Sequence, residues 1–163
     1  MHRIRILTLA IALGACSSAS GPVASDPVVL LGTWILVHSF SVFGEPIATC
    51  PGEMTVHAQS GGSFSGDMSI LAGNECAGVA GIGTVMGTVG GSSIAFSLEG
   101  VGLDDLLAFA GCQPVSASGF AGSASESALV AVNTQTFTCL DPDTGTQIPV
   151  QIRWQIEGEK AAG

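Results

Sequence analysis

The run Leu30-Leu31-Gly32-Thr33-Trp34-Ile35-Leu36-Val37-His38-Ser39-Phe40 decides how the rest of the chain is read. Successive side chains of a strand point to opposite faces, so Trp34, Leu36, His38 and Phe40 fall on one face of an extended segment. The residue types also favour a half-buried strand. A first strand is expected from Val28 to about Phe43, with the Trp34 face turned inward and Gly44-Glu45-Pro46 ending it.

Working outward, the same two-residue period returns. Met54, Val56 and Ala58 alternate with polar neighbours, and after Ser60-Gly61-Gly62 so do Phe64, Gly66, Met68 and Ile70. This is a hairpin with one dry face. Cys50-Pro51-Gly52 and the Gly-rich stretch from Ala72 to Gly81 read as loops. Further strands follow around Val85–Val89 and Ser93–Glu99, then at about Val115–Ser123, Ser127–Val132 and Gln135–Cys139. Asp141-Pro142-Asp143-Thr144-Gly145 is a turn, and the last strand, Ile148–Glu157, carries Val150, Ile152, Trp154 and Ile156 on one face. Three strands share an apolar-x-Gly step: Phe64-Ser65-Gly66, Val85-Met86-Gly87 and Phe120-Ala121-Gly122. Glycine repeated inside strands marks bends or close approaches and suits a sheet that curls on itself. Leu103, Leu106, Leu107 and Ala110 have helical spacing after Asp104-Asp105, which predicts one short helix ending at Gly111. The expected fold is therefore all-β: a small antiparallel barrel of about eight strands with one short helix, a β-sandwich being the other arrangement of these strands.

The segment Leu31–Val37 resembles the Gly-x-Trp opening of lipocalins and the related calycin-type barrels. The resemblance implies an interior able to hold one small apolar ligand, with Trp34, His38 and Phe40 as contact residues. It also implies a late basic residue packed over the first-strand Trp. Arg153 is the candidate, although alternation turns it away from the face of Trp154. Leu31-Gly32-Thr33-Trp34 is also similar to the start of META-type domains, whose Gly-Cys-Asn motif this chain lacks.

Ahead of the barrel lies a targeting segment. Met1-His2-Arg3-Ile4-Arg5 is a basic start, Ile6–Leu13 is a compact apolar run, and Leu13-Gly14-Ala15-Cys16 places small residues before a cysteine. The apolar run is too short to span a bilayer as a mature helix. The order resembles a bacterial lipoprotein signal, which implies cleavage before Cys16 and acyl chains on that cysteine. Ser17 in place of Asp implies the outer membrane. Residues 1–15 are then the signal peptide, 16–27 the lipidated cysteine and a Ser/Ala/Gly/Pro-rich tether, and 28–160 the barrel domain.

With Cys16 assigned to lipid, Cys50, Cys76, Cys112 and Cys139 remain. An even set in an oxidising compartment reads as two disulfides. Of the three possible connectivities, the expected one is Cys50–Cys76 and Cys112–Cys139, which closes two loops of similar length.

Beyond Cys16 only Arg153 and Lys160 offset thirteen acids, a net charge of −11. A chain this acidic is repelled by nucleic acid and by anionic headgroups. No serine stands in Gly-x-Ser-x-Gly, and no Cys-x-x-Cys or Cys/His cluster is present. Asp141-x-Asp143-x-Gly145 lacks the remaining ligands of a calcium loop and reads as a turn. His57 alternates outward, and His38 is the polar member of the inward face of strand one. No catalytic residue, metal ligand or cofactor is expected. The expected role is that of an envelope lipoprotein, tethered to the membrane by lipid and binding a small apolar ligand. The alternative is a protein-binding, inhibitor-like lipoprotein whose barrel is filled by its own side chains.

Overall fold

The computed structural model describes residues 26–73, 75–100, 111–115, 119–141 and 143–162. Nine strands are present among the described residues: β1 Gly32–Val42, β2 Glu45–Ser60, β3 Ser63–Ile70, β4 Gly81–Gly90, β5 Ser93–Glu99, β6 Cys112–Pro114, β7 Phe120–Ala124, β8 Ala128–Leu140 and β9 Gln147–Lys160. All neighbouring pairs are antiparallel. The order β8-β7-β5-β4-β3-β2-β1-β9 closes through β8–β9, so eight strands form a barrel and the short β6 adds to one end of β8. Closure leaves the barrel without a free edge. No helix occurs among the described residues, and the expected helix over residues 103–110 lies outside them.

The alternating pattern does most of the work. Trp34, Leu36, His38 and Phe40 are all buried, as are Met54, Val56, Phe64, Met68 and Ile70. Outward positions on β9 are Gln151, Arg153, Gln155, Glu157 and Glu159. On β9 a polar outer face thus backs an apolar inner one.

The apolar-x-Gly steps are close approaches. A Cβ on Gly66 would lie 2.8 Å from the Cα of Val56, and one on Gly122 would lie 2.7 Å from the Cα of Ala131. At those two points the neighbouring strand occupies the space of a side chain, which is how the sheet bends tightly enough to close.

Several boundaries differ from expectation. Cys50-Pro51-Gly52 is not a loop but the middle of β2, paired with β1 from His38↔Cys50 to Leu36↔Gly52. Ala58 is exposed rather than inward, because a bulge between Val56 and Ala58 inserts one residue and reverses the alternation. The two expected strands at 127–132 and 135–139 are one strand, β8, in which Asn133 is buried instead of turning the chain. The strand expected over 115–123 starts only at Phe120, and residues 116–118 lie outside the described set. β9 extends three residues past Glu157, to Lys160.

Both disulfides have the expected pairing, Cys50–Cys76 and Cys112–Cys139. The first ties the middle of β2 to the β3–β4 connection. The second joins β6 to β8 across the register pair Cys112↔Cys139.

Candidate functional site in the barrel interior

The end of the barrel where β1 begins is plugged. Leu30 is 1% exposed, and the Gln59 side chain holds the segment before β1 by accepting from Leu30 N and donating to Val28 O, each at 2.7 Å. Trp34 stands above Leu30, and its Nε1 donates to the Leu30 carbonyl at 2.8 Å. Over the indole lies a cation, but it is Lys160 and not Arg153: Nζ is 5.5 Å from the ring centroid and donates to Val29 O. Arg153 points outward and donates to Gln155. The reason is register. Trp34 is paired with Lys160, whereas Arg153 is opposite Ser41, near the far end of β1.

His38 lies one layer up and is fully buried. Its Nδ1 accepts from Trp154 Nε1 at 3.1 Å. That assignment puts the proton of the neutral ring on Nε2. Nε2 meets no partner at hydrogen-bond geometry among the described residues. The Ser69 carbonyl lies near enough to favour the ring's proton but misses that geometry. Burial outweighs the carbonyl and pushes the His38 pKa down to about 4, so the ring is neutral at pH 7. Gly52 explains how an imidazole fits here: a Cβ at that position would lie 2.7 Å from His38 Cδ2.

From Trp154 a chain of rings crosses the interior. Trp154 packs against Phe40 at 5.0 Å and edge-on against Phe120 at 4.9 Å, Phe120 stacks on Phe96 at 4.9 Å, and Phe96 meets Phe64 at 6.2 Å. These separations are those of contacting aromatic pairs. Trp34, His38 and Phe40 thus line one wall, but His38 is engaged by Trp154 and Phe40 is covered by it. Two further polar residues are buried, Asn133 at 7% and Gln135 at 8% exposure, opposite Trp154 and Ile152 of β9.

No family model matches this chain, and no curated protein matches it. It is similar to the crystal structure of a protein of unknown function from the DUF3598 family of Nostoc punctiforme. The identity is 15%, the TM-score is 0.39, and the match covers 88% of this chain and 53% of that one. The chain therefore spans about half the length of that protein.

Among the described residues, no three His, Cys, Asp or Glu side chains converge. Asp141 forms a turn: its Oδ1 accepts from Asp143 N and its Oδ2 from Thr144 Oγ1. The Thr144 hydroxyl, then the Asp143 amide, hold the Asp141 carboxyl below its ordinary pKa. His57 points outward, with Nε2 2.7 Å from Asp67 Oδ2. Cys16 lies outside the described residues. Sequence reasoning missed Phe120, Asn133 and Gln135 as interior residues. The signal was present in the alternation of β8, where Leu129, Ala131, Asn133, Gln135 and Phe137 share one face. It was hidden because polar Asn133 and Gln135 interrupt the apolar members of that face.

Proposed function

We propose that this chain is an envelope lipoprotein, held to the outer membrane by acyl chains on Cys16, whose calycin-like barrel is a packed scaffold that acts on another envelope protein through its outer surface. The observation that carries this reading is the chain of rings from Phe64 through Phe96, Phe120 and Trp154 to Phe40, locked by the Trp154–His38 hydrogen bond. A wall lined by Trp34, His38 and Phe40 offers a ligand only the Nε2 of His38, since Nδ1 already serves Trp154. The calycin-like part of the proposal is supported by Gly32-Thr33-Trp34 on the first strand with Lys160 over the indole. The anchor is supported by Leu13-Gly14-Ala15-Cys16 after a basic, then apolar, start. The role assigned is not enzymatic.

The test is titration of the protein with a fluorescent fatty acid and with a retinoid while Trp emission is followed. A packed barrel gives no saturable quenching and carries no co-purifying lipid by native mass spectrometry. Saturable, stoichiometric quenching would overturn it in favour of a small apolar ligand in the barrel. The buried amide of Asn133 opposite Trp154 is the observation on that side, since polar groups in an apolar interior are what orients a ligand. For the anchor, Cys16→Ser should yield a product without acyl chains, and a variant that stays acylated refutes lipidation at Cys16.

A further inference from the structure

A shallow groove of about 320 Å³ runs over the outside of the barrel where β8, β9 and β1 lie side by side. Its two apolar sides are Ile35 and Val37 of β1 and Ala128 and Val130 of β8, with Glu157 and Glu159 of β9 between them. Ile35 is 55% exposed, Val37 44% and Val130 42%. The register brings acids among them. Ile35 is paired with Glu53 on one side and Glu159 on the other, while Glu157 stands between Val37 and Val130. One exposed aliphatic side chain is ordinary on any protein surface. Here two exposed apolar strips, on β1 and on β8, flank a line of one sign of charge on β9, and exposed apolar surface set against polar residues is the composition of an interaction site.

The cations do not neutralise it. Lys160 Nζ is drawn to Trp34 and Val29 O, and Arg153 is bonded to Gln155, beyond the groove. Glu157 accepts a single neutral hydrogen bond, from Gln155 at 2.6 Å. The field over the groove is negative, so a second copy of this acidic chain would meet like charge there.

We propose that this groove docks a segment of another protein in which aliphatic side chains are flanked by Lys or Arg. The proposal rests on the interaction-scaffold reading above and names the chemistry of the partner. Every strand of the groove is paired on both sides, so the partner gains nothing by adding a strand. It binds with its side chains: aliphatic groups on Ile35, Val37 and Val130, cationic groups on Glu53, Glu157 and Glu159. Charge pairing along β9 makes association salt-dependent.

The full chain is titrated with a labelled peptide in which Ile alternates with Lys, beside Ile/Glu and Ser/Lys peptides of the same length. Binding is followed by anisotropy at low and at physiological salt. The Ile/Lys peptide should bind and the other two should not. Glu157→Gln together with Glu159→Gln, which keeps size and fold, should weaken binding about tenfold. Ile35→Ser with Val37→Ser should abolish it. Equal binding of the Ser/Lys or Ile/Glu peptide overturns the proposal, as does undiminished binding by the Gln variant or no binding by the wild type. If the Ser variant fails to fold, the Gln variant and the peptide controls still decide. A concentration-dependent dimer that blocks the peptide would make a second copy the occupant and also overturn it. A barrel that admits fatty acid refutes the packed-scaffold reading whatever the peptides do. Peptide failure with a barrel that admits no probe refutes the groove alone.

Discussion

Gly52→Ala asks for a methyl group where the barrel keeps the His38 ring. A Cβ on Gly52 lies 2.7 Å from His38 Cδ2 and well inside contact distance of Nε2 and of the Ser69 carbonyl oxygen. Carbon contacts are favourable only near about 3.5–4 Å. The ring cannot step aside cheaply, since Nδ1 accepts the Trp154 indole proton and Trp154 is wedged between Phe40 and Phe120. Overpacking a core costs about 1–3 kcal/mol. Loosening the hydrogen bond of a buried indole N–H adds about 1–3 kcal/mol. The expected loss is about 2–6 kcal/mol, or a fall in Tm of roughly 6–25 °C for a domain of this size. Urea and thermal unfolding of Gly52→Ala, His38→Ala and the double variant measure it. Removing the ring should relieve much of the clash, leaving the Ser69 carbonyl, so the two single losses should not add. A loss below about 1 kcal/mol for Gly52→Ala, or full additivity, would refute the claim that the ring is seated on Gly52.

Burial holds His38 at about 4 in the fold against 6.5 when unfolded. Between those values the unfolded chain takes up a proton that the folded one refuses. Stability should therefore fall by about 3 kcal/mol as pH drops from 6.5 to about 4, then level off for this group; urea midpoints across that range should lose this slope in His38→Gln. Opening Cys112–Cys139, whose partners are 27 positions apart, should cost about 3–4 kcal/mol by chain entropy, read as a lower Tm for Cys112→Ser with Cys139→Ser. Lys160→Met should cost about 1 kcal/mol and shift Trp fluorescence, while Arg153→Met should do neither, because only Lys160 covers the Trp34 ring.

The period of two in strand after strand was enough to read one-sided antiparallel strands, because burial on one face leaves an unmistakable alternation at Trp34–Phe40, Phe64–Ile70 and Val150–Ile156; the choice of a barrel over a sandwich rested on the repeated glycine steps and the Gly-x-Trp opening. Irregularities within a strand were not legible. The β2 bulge reverses Ala58 without any composition signal, and Cys50-Pro51-Gly52 looks like a loop although Gly52 is there to admit the His38 ring. The pairing of the cysteines was legible from spacing. The choice of Lys160 over Arg153 was not, because it depends on the register of β9 against β1, which is set across the whole length of the domain. For the same reason the groove could not be seen: Ile35, Glu157 and Val130 come from three strands and meet only after closure.

The wall that joins β1 to β9 has a kinetic consequence. His38 and Trp154, which meet across it, are 116 positions apart in the chain. Contacts of such long sequence separation carry a large loop-closure cost and form late. A sheet of the earlier strands without that seam would have two raw edges, and unpaired edges of this kind recruit other chains. A charge of −11 beyond Cys16 opposes edge-to-edge association of two such chains before the last strand shuts the barrel.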